Sequence, residues 1–350
     1  MVSLIMNSLK IAIYPYGPNI PNKYIDRMEE AIRYAFPNVI ISAFPGIKNI
    51  FSLKGYNFVW LNWFENLPKN GKIKNIIIRE FILLALKVMR IKVIVTLHNR
   101  EPHESSNTLL EKFLFWHIFI FANRIIILSD DSKKILEEKF GKKILTKTIL
   151  IPHPAYECKP KIVQNTKSDF KILFFGHLRP YKNIELIFEL AKIYRNISFT
   201  IAGNPIDKKY ETELKIKSEK ISNLTLISHF LSEEEIDKLI DSHTILLLPY
   251  NIRSSLNSGV VIHAICKRIN IIVPEIGTVN QLINKDMIFH YSYDTQREHL
   301  QQLIKIIKLA KDEYELNIEY FKKRIDILYD EVTVYQDPKE LSKKVKELFK

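Results

Sequence analysis

Short apolar runs alternate with helical segments along the whole chain, and this alternation constrains the fold more than any other feature. In the first half, β-branched and aromatic residues form strand-like runs at positions 10–14, 58–61, 92–97 and 124–128. Helical periodicity occupies positions 23–36, 75–89, 107–121 and 131–140. Strands that alternate with helices predict a parallel sheet with helices on both faces, which is a doubly wound α/β domain.

The same rhythm repeats in the second half. Strand-like runs lie at 171–175, 198–202, 224–227, 244–248 and 270–273, and helical patterns cover 295–329 and 338–349. Residues 152–169 contain three prolines and little periodicity, so they read as a linker. A chain of 350 residues also exceeds the size of one hydrophobic core. We predict two Rossmann-like domains with a cleft between them, at 1–155 and 168–335, and a C-terminal helix at 336–350 that packs toward the first domain.

Composition limits the class of protein. Apolar residues make up 47% of the chain and charged residues 26%, which is typical of a globular protein. The net charge of +13 favours an anionic partner, and nucleic acid, anionic lipid and a phosphorylated substrate all qualify. Only Cys158 and Cys266 are present, without metal-ligand spacing, which argues against a disulfide framework or a zinc site. With no signal peptide and no uninterrupted apolar span, we expect a cytoplasmic protein.

In parallel sheets, ligands bind at the carboxyl ends of the strands, so the loops after the strands are the candidate sites. The loop after the strand at 92–97 brings together His98, Glu101 and His103, the strongest polar cluster of the first half. Alternatively, His98 only caps the strand and the other two begin the next helix. The loop after the first strand is a candidate acceptor-side loop, because glycine lets a substrate approach the backbone. Its residues are Gly17, Pro18 and Asn19.

The segment 171–191 carries the most specific motif. It consists of an apolar strand, a turn at Gly176, the two cations Arg179 and Lys182, and an apolar helix. In this it resembles the family 4 type, or group 1, of GT-B glycosyltransferases, whose second domain opens in the same order. The resemblance implies that Arg179 and Lys182 clamp the diphosphate of a nucleotide-sugar donor and stabilise it as the leaving group.

Further segments match the family in order and spacing. They are 201–205, 229–235 and 245–250, and the resemblance implies that the second holds the nucleobase. The donor-binding residues that it implies in these segments and at the first turn are Gly176, Gly203, Asn204, His229, Phe230, Leu231 and Tyr250.

The chain departs from the family at its Glu-x7-Glu motif, where Ser255 and His263 stand. The start of a helix survives between them, and its free N–H groups suit a diphosphate. Glu275 is either a contact of the donor sugar or a solvated carboxylate. The positions that we assign to the donor side here are Ser255, Asn257, Ser258, Gly259, Val260, His263 and Glu275.

The resemblance implies a hexosyltransferase that uses a UDP or GDP sugar and a saccharide or polyprenyl-diphosphate-linked acceptor, as in surface polysaccharide synthesis. We predict retention, which needs no enzymatic base because the leaving diphosphate itself can deprotonate the acceptor, and His98 would orient the sugar. Inversion would make Glu101 or His103 the base. The chain contains no Asp-x-Asp motif, so we predict activity without a metal or cofactor.

Two alternative functions and the meaning of the basic surface remain open. The protein could be a nucleotide-sugar 2-epimerase of the same architecture, or a noncatalytic partner subunit that lost the Glu pair. The basic surface and the aromatic first domain suit peripheral contact with the anionic inner face of the plasma membrane, but the lysines could equally reflect a compositional bias. We expect no nucleic-acid partner, because the charge is dispersed and no recognition motif accompanies it.

Overall fold

The computed structural model describes residues 8–18, 22–68, 71–100, 109–158 and 169–350. The chain divides into two compact units. The N unit comprises Met1–Pro154 with Tyr335–Lys350, and the C unit comprises Ala155–Val334. None of the helices in the described ranges is long and apolar enough to cross a membrane.

The N unit is built on a six-stranded parallel sheet. Its strands are β1 (Lys10–Tyr14), β2 (Ile40–Ala43), β3 (Phe58–Asn62), β4 (Lys92–Leu97), β5 (Arg124–Ile127) and β6 (Thr148–Leu150). Its first helices are α1 (Lys23–Ala35), α2 (Lys72–Val88), α3 (Leu109–Phe121) and α4 (Asp131–Phe140). The strand order is β2-β1-β3-β4-β5-β6, and every neighbouring pair is parallel.

The C unit repeats this plan. Its strands are β7 (Lys171–Phe175), β8 (Ser198–Ala202), β9 (Leu224–Ile227), β10 (Ile245–Leu247), β11 (Asn270–Pro274) and β12 (Phe289–Tyr291). Its helices are α5 (Glu185–Ile193), α6 (Lys208–Ser218), α7 (Glu233–Ser242), α8 (Gly259–Cys266), α9 (Gly277–Asn280), α10 (Gln296–Leu316) and α11 (Ile318–Tyr335). The order β12-β11-β10-β7-β8-β9 is again parallel throughout, which confirms the predicted pair of doubly wound sheets.

A last helix, α12 (Pro338–Val345), returns to the N unit and packs against α1. Leu341 and Val345 are buried in the same apolar core as residues of α1. The chain end continues this contact, because the Phe349 ring meets the edges of Phe36 and Phe58 at centroid distances of 5.4 and 5.0 Å. The N-unit core is therefore completed by the last residues of the chain.

The structure corrects the sequence predictions in three places. Strands β2, β6 and β12 were not predicted, and all three lie at or next to a sheet edge and are short. The helical pattern at 295–329 is two helices, because the backbone leaves helical geometry at Asn317. The predicted linker begins too early, since residues 152–155 are buried. His153 therefore belongs to the N unit and not to a connection.

Candidate functional site

Two glycines shape the carboxyl edge of the C-unit sheet. Gly176 follows β7 with φ +127°, and Gly203 follows the neighbouring strand β8 with φ +152°. The Gly176 N–H donates to the Ala202 carbonyl at 3.0 Å. A Cβ on Gly203 would lie 1.8 Å from the Gly176 carbonyl oxygen, so any residue other than glycine would clash at this position. The two backbones thus pass at a distance that only glycine permits.

Lys182 places a cation beside this turn. Its ammonium lies 3.2 Å from the position that a Cβ on Gly176 would occupy, and 5.6 Å from the ring centroid of Tyr250. The side chain is buried, with a relative exposure of 7%. Burial, and then the charge of Arg179, lowers the pKa of Lys182 to about 7. An anion at this position would favour the charged ammonium, so the site is suited to a phosphate group.

The N-terminus of α8 borders the same space. Val260, in its first turn, has a methyl group 3.7 Å from the Gly176 Cβ position. The Ser258 N–H donates to the Thr278 hydroxyl at 2.8 Å, and the Ser258 hydroxyl donates to that of Tyr250 at 3.3 Å. Since the Ser258 side chain does not cap α8, the first N–H groups of the helix are left for other acceptors. The glycine turn, a buried cation and a helix N-terminus together make this a candidate anion site.

The two positions that depart from the Glu-x7-Glu motif are both buried. Ser255 donates its N–H to the Asn251 carbonyl at 2.8 Å. The His263 ring lies between the edges of Tyr156 and Phe175, at centroid distances of 5.2 and 5.7 Å. Its Nε2 lies 3.6 Å from a carboxylate oxygen of Glu233. A carboxylate therefore reaches this histidine from α7, a contact that the sequence did not reveal because it joins distant segments.

The positions matched to the nucleobase lie between β9 and α7. The Phe230 ring is 70% exposed, whereas Leu231 is buried. His229 Nε2 lies 2.9 Å from Glu235, whose carboxylate also accepts the Ser232 N–H in a capping box. These contacts hold the chain in place and leave one aromatic face accessible.

Two more predicted donor residues have separate surroundings. Asn204 contributes its backbone carbonyl, which accepts the Leu178 N–H at 2.9 Å. Glu275 lies 3.0 Å from His290 Nδ1 and lines a depression of about 340 Å³ together with Gln302 and Lys305. The contact of Glu275 with a sugar stays a prediction.

In the N unit, His98 is buried at the carboxyl end of β4. Its ring stacks on Trp63, with centroids 3.9 Å apart and planes 15° apart, and meets Tyr24 at 4.9 Å. Its Nε2 lies 3.1 Å from Asn62 Oδ1, within hydrogen-bond distance. His153 meets Tyr24 at 5.2 Å, and burial lowers its pKa to about 4. These residues form an imidazole and aromatic cluster, of which sequence reasoning found only His98.

The remaining candidates are partly outside the described residues. Glu101, His103 and Asn19 lie there. Gly17 has φ +139° with open space where a Cβ would stand, and Pro18 beside it is exposed. Among the described residues, no three His, Cys, Asp or Glu side chains are grouped as a metal site would require.

Known proteins resemble this chain in sequence and in fold. Residues 157–315 match the family model described as glycosyl transferases group 1. A GDP-mannose:glycolipid 4-beta-D-mannosyltransferase of Xanthomonas campestris pv. campestris is 23% identical over 250 residues, which cover 70% of this chain and 67% of that protein.

Solved structures extend the likeness to both units. Alr3699/HepE of Anabaena, in complex with UDP-glucose, is 12% identical with a TM-score of 0.70, over 97% of this chain and all of that one. Sucrose-phosphate synthase of Thermosynechococcus elongatus is 11% identical with a TM-score of 0.70, over 98% of both chains. The chain therefore has the GT-B fold of these glycosyltransferases. Its C unit contains a group 1 glycosyl transferase domain, which confirms the resemblance predicted from the sequence.

Proposed function

We propose that the protein transfers a hexose from a nucleotide-diphosphate sugar to a lipid-linked or saccharide acceptor. The observation that supports this most is the buried cation of Lys182, which lies beside the Gly176 turn, and the start of α8 borders the same turn. In the described part of the chain no carboxylate pairs with this buried ammonium, and because a buried unpaired charge is costly, an anionic ligand would stabilise it. A diphosphate would satisfy both the cation and the free N–H groups of the helix.

The chemistry of transfer places the largest demand on this anion site. As the bond between the sugar and the diphosphate breaks, negative charge develops on the leaving oxygens. Arg179 and Lys182 would stabilise that charge, and so would the first N–H groups of α8. Because Lys182 is already in position in the free protein, little reorganisation accompanies the reaction. This electrostatic stabilisation is the principal catalytic contribution that we assign to the C unit.

The relatives and the sequence both support a particular class of substrate. The Xanthomonas relative is named as acting with GDP-mannose on a glycolipid, and the Anabaena structure contains UDP-glucose. We infer a GDP or UDP hexose as donor and a polyprenyl-diphosphate-linked glycan as acceptor, in surface polysaccharide synthesis. Such an acceptor would place the enzyme in the cytoplasm, in peripheral contact with the membrane.

Stereochemistry depends on which group removes the acceptor proton. With retention, the leaving diphosphate takes that role and no enzymatic base is needed. With inversion, Glu101 or His103 would act as the base. The name of the Xanthomonas relative specifies a β-mannoside. With an α-linked donor, retention gives an α product and inversion a β product, so the anomeric configuration of the product distinguishes the two mechanisms.

A screen of UDP, GDP, ADP and their sugar conjugates tests the function. A ligand at one hundred times its Kd raises the free energy of unfolding by about 2.7 kcal/mol, which is visible as a higher melting temperature. We expect the nucleotides of one base to stabilise the protein. The sugar donor with that base should be consumed only when an acceptor is present. Because we predict activity without a metal, EDTA should not prevent this consumption. Conversion without an acceptor would identify an epimerase. Nucleotide binding without turnover would identify a noncatalytic partner subunit.

The pKa of Lys182 predicts that donor binding takes up a proton. In the free protein this pKa is about 7, and a bound diphosphate raises it because the anion favours the ammonium. Above about pH 7 the free lysine loses its proton and must regain it on binding, so affinity should fall as pH rises through that range. Calorimetry in two buffers of different ionisation enthalpy would measure the uptake. Proton uptake on donor binding below this pH range, or no proton uptake above it, would contradict the assignment of the effect to Lys182.

A further inference from the structure

Helix α2 exposes an apolar face along its whole length. Five large apolar side chains recur every three or four residues, so they lie on one side of the helix. Their relative exposures run from 48% to 75%. They are Ile73, Ile77, Phe81, Leu84 and Val88. A second set on the opposite side of α2 is buried, so the exposed set is not needed for the core.

Helix α3 has a face of the same kind. Its exposed apolar side chains also recur at helical spacing, with exposures from 37% to 85%, and include a tryptophan. They are Leu109, Leu110, Phe113, Trp116 and Ile120. Here too the opposite side supplies the buried contacts, through Leu114 and Ile118 among others.

The two helices lie side by side. Lys72 at the start of α2 pairs with Glu111 at the start of α3 at 2.7 Å, and Glu80 pairs with His117 further along both helices. The helices therefore run parallel, with these polar contacts between them. Their exposed apolar residues together form what we call the α2–α3 face. Contiguous apolar surfaces of this kind are rare on monomers and mark interaction sites.

The charges around the α2–α3 face have one sign. Glu80 and Glu111 are engaged between the helices, so they do not oppose an anionic partner. The exposed charged residues of the two helices are Lys74, Lys87 and Lys112, all cationic. A second copy of the chain would place these lysines against each other, whereas anionic headgroups would complement them. Lysine side chains can extend to the headgroups while the apolar residues insert below.

We propose that the α2–α3 face binds the surface of an anionic bilayer and inserts its apolar side chains at the boundary of headgroups and acyl chains. Helices of this composition lie in the plane of the interface instead of crossing it. The proposal deepens the proposed function, on which it rests, because an enzyme with a lipid-linked acceptor must meet that acceptor at a membrane. The N unit would then carry the membrane contact, and the C unit the donor.

Cosedimentation with lipid vesicles tests the proposal on the full chain. The test variant combines Phe81→Gln, Leu84→Gln and Trp116→Gln. The matched control combines Ile193→Gln, Ile216→Gln and Val334→Gln, which remove apolar residues of similar exposure from the C unit. We expect wild type and control to bind vesicles of phosphatidylcholine with phosphatidylglycerol, less so in high salt. The test variant should bind on the order of tenfold or more weakly, since apolar burial drives insertion.

Fluorescence quenching measures how deeply the α2–α3 face inserts into the bilayer. Lipids brominated in the upper acyl chain should quench the fluorescence of Trp116, and Trp116→Phe should lose this quenching while it still sediments with vesicles. If the glutamine variant does not fold, a charge-reversal variant replaces it in the test. This variant combines Lys74→Glu, Lys87→Glu and Lys112→Glu, and it should bind anionic vesicles more weakly than wild type. Vesicle binding unchanged in the folded variants, or absent from wild type, would overturn the proposal. The proposal would also be overturned if wild type formed a dimer that only the face variants lose, and if wild type did not bind vesicles.

Stabilisation by nucleotides separates this proposal from the proposed function. The rise in melting temperature with nucleotide depends on the C unit. It should therefore be the same in wild type, in the face variants and in the control. Normal nucleotide binding without vesicle binding would overturn the membrane proposal alone. Vesicle binding without any nucleotide effect would overturn the proposed function and leave the α2–α3 face as a membrane site.

Discussion

Lys182→Met is expected to slow sugar transfer by a factor on the order of 10² to 10³, the size of effect seen when one preorganised group that stabilises a developing anion is removed. Methionine has a similar length and fills the space beside Gly176 and Tyr250, so packing is kept while the charge is lost. The buried ammonium also carries a desolvation cost, so the variant should be no less stable than wild type. Initial rates at saturating donor, with melting temperatures, give both quantities.

The matched control is Lys192→Met. Lys192 is an exposed lysine of the same unit, paired with Glu189 on the surface of α5 at 2.9 Å. Exposed pairs of this kind contribute little, so neither rate nor melting temperature should change appreciably. Equal rates for wild type and Lys182→Met would remove Lys182 from the transfer step. A loss of rate together with a lower melting temperature would instead indicate a structural role.

The central strands could be predicted because parallel strands covered on both faces are almost entirely apolar. Every residue of β3 is buried, and β7 and β8 are buried apart from their first residues. Three of the four edge strands, β2, β6 and β12, gave no such signal. β2 has no fully buried residue, and β6 and β12 have only three residues each. Their pairing depends on the neighbouring strand, which local sequence does not report.

The residues of the candidate anion site could be singled out from the sequence for a related reason. Gly176, Arg179 and Lys182 lie within seven residues of each other, so their order alone matches a known pattern. The other contacts join segments that are far apart in sequence. His263 meets Glu233 from a different helix, and Trp63 stacks on His98 from a different strand end. Such pairs arise from tertiary packing and leave no trace in local spacing.

The departures at the Glu-x7-Glu motif change the electrostatics of this region in one direction. Serine at position 255 and histidine at 263 remove two negative charges from the side of α8. Glu233 returns one carboxylate, but His263 and Lys267 lie 3.6 and 4.0 Å from it, so its charge is locally balanced. If a diphosphate binds at α8, as we propose, the substitutions make its surroundings more favourable to that anion, and the hydroxyl contacts of the sugar would come from other residues.

Gly203→Ala is expected to destabilise the protein by about 4 kcal/mol or more, which places it among the most severe single substitutions. The added Cβ would lie 1.8 Å from the Gly176 carbonyl oxygen and 2.8 Å from its carbonyl carbon. Both are backbone atoms, so no side chain can rotate away and the two strand ends must separate. The Gly176 N–H bond to Ala202 and the position of Lys182 beside Gly176 would be lost with that movement. Nucleotide binding should fall together with stability.

Gly141→Ala separates the clash at Gly203 from backbone strain. Gly141 also has positive φ, at +77°, but open space lies where its Cβ would stand. Its substitution should therefore cost only the strain of an unfavourable backbone conformation, about 1 to 3 kcal/mol. Urea unfolding of both variants, with nucleotide stabilisation measured beside it, compares the two glycines. If the two variants were equally stable and both bound nucleotide normally, the close passage of the backbones at Gly176 and Gly203 would not be what builds the anion site.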